Sequence, residues 1–293
     1  MTARASILVP THDGTVLLER AVTTALRQTV PDLEVLIVGD GVTDDCRATI
    51  GSLCAQDARV RFLDLPKAPG HGEANRDLGV RAVLTDAVLY LADDDLLAPD
   101  HVATLLPMLD SAHLVHSTLM VVDAEGELVL WPTDLSVAQN VAWLLSDPRR
   151  NCVGLTGTAH RRSTYLELEA GWQTAPAGEW PDHALWKRFL RRDDVVGATS
   201  SHVTSVIFPA PYRRHLSPAA FDERHRRLFE LVSSADAERA VAALADEARR
   251  SNLIRLHRLA VDTGLALEQA LSTIAELQAQ RAPRPFWRRG RRG

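Results

Sequence analysis

The chain has 293 residues, 46% hydrophobic and 24% charged, which excludes general disorder and is typical of a globular protein with a large core. It contains neither the ~20 consecutive apolar residues of a transmembrane helix nor a signal-peptide pattern, so we expect a cytoplasmic protein. The formal net charge of −5 argues against nucleic-acid binding, because phosphate contacts require a basic surface.

The first 110 residues alternate between apolar strands and amphipathic helices. The pattern predicts strands at 6–9, 33–38, 60–63 and 87–91, and helices that begin near residues 16, 43 and 72. Strands that are apolar throughout and separated by helices are typical of a parallel sheet covered on both faces. We therefore predict a doubly wound α/β unit over residues 1–110.

Polar segments follow the carboxyl ends of these strands, where doubly wound sheets bind their ligands. The segments are 10–13 (PTHD), 39–41 (GDG), 64–67 (DLPK) and 92–95 (ADDD). They supply acids, a lysine, a histidine and glycine turns to one edge of the sheet. The sequence therefore predicts a polar binding site at that edge.

Asp93, Asp94 and Asp95 are the sharpest chemical signal in the chain. Three adjacent carboxylates repel one another, so directly after a buried strand they indicate a compensating cation. Mg²⁺ or Mn²⁺ is the natural partner, since it uses one or two protein carboxylates and completes its shell with phosphate and water. On the residues alone, a helix that begins near Pro99 and is capped by Asp95 explains the triplet equally well.

The rest of the chain is less regular and ends in a basic tail. Strands are predicted at 114–122 and 128–131, helices at 136–145 and 182–191, and mostly helix from residue 217. An apolar stripe is formed by Leu267, Leu271, Ile274 and Leu277. We expect it to pack on the α/β domain, with self-association as the alternative. Residues 281–293 carry six arginines and no acid, which fits an anionic membrane surface and a solvated disordered tail equally well.

Five segments in register resemble family 2 glycosyltransferases with the GT-A fold, an α/β fold with a Rossmann-like, mostly parallel doubly wound sheet. They are 6–13 (SILVPTHD), 25–29 (ALRQT), 34–41 (EVLIVGDG), 90–95 (YLADDD) and 99–101 (PDH). The resemblance covers about residues 6–215. It implies a GT-A domain at 1–216, with a nucleotide-binding half at 1–110 and an acceptor half at 111–216. A helical extension at 217–280 and the basic tail at 281–293 would follow.

The resemblance also implies a nucleotide pocket. Its residues would be Pro10, Thr11, His12, Asp13, Asp40, Lys67, Arg76 and Asp93. His12 would stack on the base, and Asp40 would accept the imide N–H of uracil or thymine. Lys67 and Arg76 would approach the diphosphate or the sugar. Gly39 stands where the family usually has a further acid.

A metal site and a catalytic base are implied in the same way. Asp94 corresponds to the principal metal ligand, with Asp95 beside it and His215 as a further candidate from a mobile loop. Asp182, in the segment 180–188 (WPDHALWKR), corresponds to the general base. Simple helix initiation is the alternative interpretation of this segment, because proline and aspartate favour a first helical turn.

Two further segments complete the implied site. Glu179 is a fallback base if Asp182 does not act. Residues 156–163 (TGTAHRRS) resemble the strand and turn that face the acceptor.

The implied function is an inverting glycosyl transfer from a nucleoside diphosphate sugar, with UDP or dTDP favoured. The acceptor would be a hydroxyl of a saccharide or lipid-linked molecule, in cell-surface polysaccharide, glycolipid or glycoconjugate synthesis, with Mn²⁺ or Mg²⁺ as cofactor. The basic tail would add peripheral contact with the inner face of the membrane.

Rival functions remain on the sequence alone. Non-acidic residues at Gly39, Ala92 and Pro181 leave a catalytically weakened nucleotide-sugar-binding or scaffold protein as the alternative. A nucleotidyltransferase or a nicotinamide-dependent dehydrogenase is disfavoured, because no glycine-rich phosphate loop follows the first strand.

Overall fold

The computed structural model describes residues 3–147, 149–210 and 215–281, with the side chains of 274–281 left aside. The strands are β1 (Ala5–Thr11), β2 (Leu33–Asp40), β3 (Val60–Leu65), β4 (Ala87–Tyr90), β5 (Leu96–Leu97), β6 (Leu114–Ser117), β7 (Leu119–Val122), β8 (Leu128–Trp131), β9 (Thr158–Arg161), β10 (Gly197–Ser200) and β11 (Ser205–Ile207). The helices are α1 (Val16–Leu26), α2 (Asp44–Gln56), α3 (Glu73–Ala82), α4 (His101–Leu105), α5 (Ala138–Leu145), α6 (Arg162–Leu166), α7 (Pro181–Leu190), α8 (Pro218–Val232) and α9 (Ala237–Arg281).

Seven of the described strands form one sheet in the order β10-β6-β9-β4-β1-β2-β3. Strand β1 lies between β2 and β4 and is parallel to both, and β3 continues in parallel beyond β2. Only β9 runs antiparallel to its neighbours β4 and β6. The predicted doubly wound, mostly parallel sheet is confirmed. The strand order reverses at β1, which is where such folds bind ligands.

The large sheet is buried on both faces, which explains why its strands carry no polar alternation. Ile7 and Ile37 pack against Leu18 of α1 and Ile50 of α2 on one face. Leu8, the next residue after Ile7 along β1, points to the other face. That face is covered by residues of α3 and α7, which include Val80, Trp186 and Phe189. Successive residues of a strand point to opposite faces of the sheet. A sheet with helices on both faces therefore requires apolar residues at odd and even strand positions alike.

A second sheet has the order β5-β11-β7-β8. The prediction of one strand over 114–122 was wrong, because β6 ends before Thr118 and β7 begins after it. The backbone N–H and the side-chain hydroxyl of Thr118 both donate to the carbonyl of Ser200, at 2.9 and 3.1 Å. Strand β6 therefore stays in the large sheet while β7 enters the small one. Strand β10 (GATS) contains no apolar run and β11 has only three residues, so neither gave a strand pattern.

The small sheet packs against helices α8 and α9. Its core joins Met120 and Val206 to Leu228 of α8 and to Val241 and Ala248 of α9. One compact unit consequently ends at Ala248, within α9, and a second unit begins at Arg249. The predicted boundary at residue 216 does not coincide with this division, because the helices after it contribute to the core of the first unit.

The second unit contains the rest of α9. Leu267 and Leu271 of the predicted apolar stripe are 59% and 56% exposed, so their predicted burial is not observed. The side chains of Ile274 and Leu277, and the whole tail 282–293, lie outside the described residues. Within the described part of the chain, no helix has both the length and the apolar character that crossing a bilayer requires.

Candidate functional site

A cleft lies at the point where the order of the large sheet reverses. It is lined by Pro10, Thr11, His12, Asp13, Val38, Asp40, His71, Gly72, Asn75, Arg76 and Asp93. These residues come from the carboxyl ends of β1 and β2, the start of α3 and the loop after β4. The cleft contains every residue predicted for the nucleotide pocket except Lys67.

Asp40 is the most tightly held carboxylate in the cleft. Its Oδ1 accepts from the Ala68 amide and from Nδ2 of Asn75, both at 2.7 Å, and its Oδ2 accepts from the ammonium of Lys67. Burial alone would raise the pKa of Asp40, but these donors hold it below its ordinary value. Lys67 thus pairs with Asp40 at the side of the cleft. Asn75 is a contributor that the sequence pattern did not identify.

Two glycines allow the backbone to approach these carboxylates. Gly41 has φ +67°, and a Cβ there would lie 2.8 Å from the backbone nitrogen of Lys67, so the turn after β2 requires glycine. A Cβ on Gly14 would lie 2.8 Å from Oδ2 of Asp93. The GDG motif at the end of β2 therefore has a steric role, because Gly41 allows Lys67 to approach Asp40.

His12 is held at the surface of the cleft by a backbone contact. Its Nδ1 lies 2.8 Å from the carbonyl oxygen of Asp40, so this nitrogen carries the proton and donates. The ring is exposed and lines the cleft. A flat imidazole fixed at one nitrogen can stack on a planar ligand.

The acid triplet divides between the cleft and the core. Asp93 lines the cleft and accepts a 2.6 Å hydrogen bond from the hydroxyl of Thr11. Asp93 and Asp94 also line an adjacent cleft, which they share with Asp13 and Asp222. Asp95 is only 4% exposed, and its Oδ1 accepts from the backbone N–H of Phe208 at 2.8 Å. Asp95 thereby ties the acid loop to the end of β11.

The alternative interpretation of the triplet as a helix start was wrong. Helix α4 begins at His101, with Asp100 at its N-cap position and without a side-chain capping bond. Asp95 instead makes the Phe208 contact. The triplet therefore lies in the connection between β4 and β5, well before α4 begins.

The donor chemistry of this loop suits a hard divalent ion that takes few protein ligands. Among the described residues, no group of three histidine, cysteine or acidic side chains forms a ready metal cage. Asp94, Asp95 and His215 therefore do not form such a cage. His215 is an exposed residue in the turn before α8. Mg²⁺ and Mn²⁺ are nevertheless compatible with the site, because one or two carboxylates suffice when phosphate and water supply the other ligands. The individual metal roles stay predictions.

Asp182 occupies the first turn of α7, directly after Pro181. Its Oδ1 accepts from the His183 amide at 2.8 Å and from Nδ2 of Asn151 at 3.1 Å. Burial raises the pKa of Asp182, and these two donors together with the charge of Arg76 oppose that rise only in part. A carboxylate with a raised pKa is suited to proton transfer. Asn151 comes from an irregular loop, which gave no sequence signal.

Arg76 links Asp182 to the cleft. It lines the cleft, and its guanidinium carbon lies 5.1 Å from the ring centroid of Trp172. Burial lowers the pKa of Arg76, while the nearby carboxylates Glu73 and Asp182 counteract this effect. Among the described residues, none provides a hydrogen-bond partner for the buried Nε of Arg76. A buried donor without a partner is costly, which favours a ligand that accepts from it.

Aromatic groups of the core hold Trp172 in place on the side away from Arg76. Its indole N–H donates to the hydroxyl of Tyr90 at 3.0 Å, and that hydroxyl lies 2.8 Å from Nε2 of His160. Burial lowers the pKa of His160 to about 4, so the imidazole is neutral near pH 7. The cluster presents Trp172 to Arg76 as a rigid surface.

The segment 156–163 contributes to the site through its first residue. His160 and Thr158 belong to β9 and are fully buried, so these two do not face an acceptor as predicted. The hydroxyl of Thr156 accepts a 2.8 Å hydrogen bond from the amide of Ala92. This contact supports the loop that carries the acid triplet.

Glu179, the fallback base, is engaged elsewhere. Its Oε1 lies 2.5 Å from the ammonium of Lys187, and its side chain is 6% exposed. An acid so paired is a poor proton acceptor, which leaves Asp182 as the stronger candidate.

Comparisons with known proteins identify the family and the fold of this chain. Residues 6–161 match the family model described as glycosyl transferase family 2. A curated relative is the GalNAc(5)-diNAcBac-PP-undecaprenol beta-1,3-glucosyltransferase of Campylobacter jejuni, 28% identical over 125 residues that cover 42% of this chain and 40% of that protein. The chain spans half or less of the length of the curated relatives compared.

Two solved structures resemble the fold. Residues 1–349 of TarS from S. aureus, solved with UDP-GlcNAc, superpose with a TM-score of 0.55 at 14% identity, covering 84% of this chain and 71% of that one. The mannosyltransferase PcManGT from Pyrobaculum calidifontis, solved with GDP-Man and Mn²⁺, gives a TM-score of 0.52 at 17% identity, covering 95% and 85%. At these identities the likeness concerns the fold.

Proposed function

Because the chain belongs to glycosyl transferase family 2 and has the GT-A fold, we propose that it transfers a sugar from a nucleoside diphosphate sugar to an acceptor hydroxyl, with inversion at the anomeric carbon. One observation carries this proposal. The cleft where the sheet order reverses is joined through Arg76 to Asp182, a carboxylate whose pKa is raised. A donor site and a proton acceptor are thereby adjacent.

The base of the nucleotide binds between His12 and Asp40. A carboxylate has about four acceptor positions. Asp40 uses three of them for Ala68, Asn75 and Lys67, which leaves one for the imide N–H of uracil or thymine. Its lowered pKa keeps it ionised, and therefore able to accept, at neutral pH. This chemistry supports UDP or dTDP as the carrier.

The diphosphate binds toward Arg76 and the acid triplet. The unpartnered Nε of Arg76 donates to a phosphate or sugar oxygen, a charge-assisted hydrogen bond. Mn²⁺ or Mg²⁺, held by Asp94 with Asp93 and Asp95 beside it, would supply positive charge against the diphosphate leaving group. Thr11 and Gly14 fix the position of Asp93 on the side of the cleft. The Mn²⁺ present with PcManGT supports a divalent ion here.

Asp182 acts as the general base. Both described donors bind its Oδ1, which leaves Oδ2 to receive the proton of the acceptor hydroxyl. As the proton moves to Oδ2, the acceptor oxygen forms its bond to the anomeric carbon. The bond from that carbon to the diphosphate breaks on the opposite side. The raised pKa of Asp182 brings it closer to the working pH, where a base is most effective.

The acceptor is a saccharide or a lipid-linked saccharide. The relative from C. jejuni is named for an undecaprenol diphosphate glycan, which supports a lipid-linked acceptor and a role in cell-surface glycan synthesis.

Calorimetric titration with UDP, dTDP and GDP, with and without Mn²⁺, tests the donor site. We expect metal-dependent binding of UDP or dTDP that is lost in Asp94→Ala and kept in Asp45→Ala, a matched exposed acid on α2. Incubation with UDP or dTDP sugars and lipid-linked acceptors then tests transfer. Failure of all three nucleotides to bind would contradict the proposed site. Binding without transfer to any acceptor would favour the scaffold alternative.

A further inference from the structure

The C-terminal unit presents large apolar side chains to solvent along a single helix. From Leu253 to Leu271, the exposed fractions run from 46% to 68%. The residues are Leu253, Ile254, Leu256, Leu259, Val261, Leu265, Leu267 and Leu271. Scattered exposed leucines need no explanation, but a contiguous series marks an interaction surface.

These side chains form two groups on the helix surface. At 100° per residue, Leu253, Leu256, Leu259, Leu267 and Leu271 fall within about 120° of one another. Ile254, Val261 and Leu265 form a second group centred about 100° from Leu253, and His257 and Glu268 lie in the gap between the two groups. The rest of the circumference contains Arg258, Asp262, Ala266 and Gln269. Together the two groups spread wider than the narrow seam of a two-stranded coiled coil.

The charge of this region is opposite to that of the rest of the chain. Residues 249–293 contain ten arginines and three acids, a net charge of +7, so residues 1–248 carry the remaining −12 of the overall −5. The tail after Arg281 supplies +5 of this charge and residues 249–281 supply +2, so the exposed apolar side chains precede a cationic segment in sequence. An exposed apolar helix surface followed by a polybasic segment is typical of proteins that bind an anionic bilayer.

We propose that α9 from Arg249 onward docks on an anionic lipid bilayer, with its exposed apolar side chains sunk among the acyl chains. The tail, with Phe286, Trp287 and five further arginines after Arg281, continues the same chemistry in sequence. The proposal does not depend on the proposed function. It gives an enzyme for lipid-linked acceptors a reason to reside at the membrane surface.

A second copy of the chain fits this surface less well. Pairing two C-terminal units brings together two net charges of +7, with only three acids in each to neutralise them. An anionic bilayer supplies both the apolar phase and the negative charge.

Sedimentation of the full chain with vesicles tests the proposal. The chain is expected to bind vesicles that contain phosphatidylglycerol more strongly than vesicles of phosphatidylcholine alone, and less strongly as salt increases. The double variant Leu256→Gln/Leu267→Gln removes apolar area without adding charge. Its partition coefficient should fall at least about tenfold, since each buried leucine contributes strongly to transfer.

A matched control is Leu84→Gln/Leu166→Gln, which changes two exposed leucines of the compact unit. It should bind as the wild type does, and circular dichroism should show equal helix content in all variants. Three results would overturn the proposal. They are no binding to phosphatidylglycerol vesicles at low salt, full binding by the Leu256→Gln/Leu267→Gln variant, or oligomers in light scattering that this variant abolishes.

Discussion

Asp40 and Asp182 lie in two regions of the same domain and have opposite electrostatic environments. Asp40 is the last residue of β2 and accepts from three donors that lower its pKa. Asp182 lies in the first turn of α7, and burial raises its pKa despite two donors and the nearby Arg76 and His183. The proposed function uses the first carboxylate, kept ionised, for binding and the second for proton transfer. Under this proposal, two residues of one type obtain different roles from their surroundings.

The largest effect is expected for Asp182→Asn. The amide cannot take the acceptor proton, so kcat should fall about 100- to 10,000-fold, while nucleotide affinity stays within about twofold. Steady-state kinetics with calorimetry on the same preparation measures both. Asp193→Asn, an exposed acid after α7, is the control. A parallel loss of nucleotide binding would place Asp182 in the donor site and remove the distinction between the two carboxylates.

Asp40→Asn should act in the opposite way. It replaces a charged acceptor and leaves Lys67 without its anion, so the nucleotide Kd should rise about 10- to 150-fold. At saturating donor, kcat should change far less. Asp45→Asn, on the exposed side of α2, should leave the Kd unchanged. Normal affinity in Asp40→Asn would mean that the base binds elsewhere.

Asn151→Ala tests how a neighbouring donor affects the pKa of Asp182. Asn151 donates to the ionised form of Asp182, so its removal should raise the pKa of Asp182 further. The acid limb of the kcat profile should then move to higher pH, with a several-fold lower kcat below neutrality. Asn140→Ala, an amide on α5 bonded to the Asp134 carbonyl, should not move the limb. An unchanged limb in Asn151→Ala would show that Asn151 does not tune the base.

Thr11→Val is expected to have the smallest effect. It removes the 2.6 Å hydrogen bond to Asp93 with little change of volume, so metal-dependent nucleotide binding should weaken about two- to tenfold. Calorimetry in Mn²⁺ measures it, with Thr23→Val on the exposed side of α1 as control. Equal affinities in the two variants would remove Thr11 from the support of the acid loop.

The sequence predicted the fold of residues 1–110 well because its determinants are local. Apolar runs predicted β1, β2 and β4. Polar residues that follow these runs line the cleft, as Thr11, Asp40 and Asp93 do. Those positions follow from strand direction alone. The predicted doubly wound sheet was confirmed for the same reason.

Contacts between distant segments could not be predicted in this way. Asn151 and Trp172 arrive from irregular loops, and Lys67 turns onto Asp40 because Gly41 allows close backbone approach. Thr118 breaks a run that looked like one strand, through bonds to Ser200 far along the chain. The division at Ala248 gave no sequence signal, because the helical pattern of α9 continues past Ala248, the last of its residues in the core of the first unit.

The pH dependence of two quantities tests the separation of roles most directly. Affinity for the nucleotide sugar and kcat at saturating donor are measured on the wild-type protein at fixed Mn²⁺ from neutral to acidic pH. The kcat should fall first, as Asp182 takes a proton through its raised pKa. Affinity should persist to lower pH, because the pKa of Asp40 lies below its ordinary value. Coincident losses, or affinity that falls before kcat, would contradict the assignment of binding to one carboxylate and proton transfer to the other.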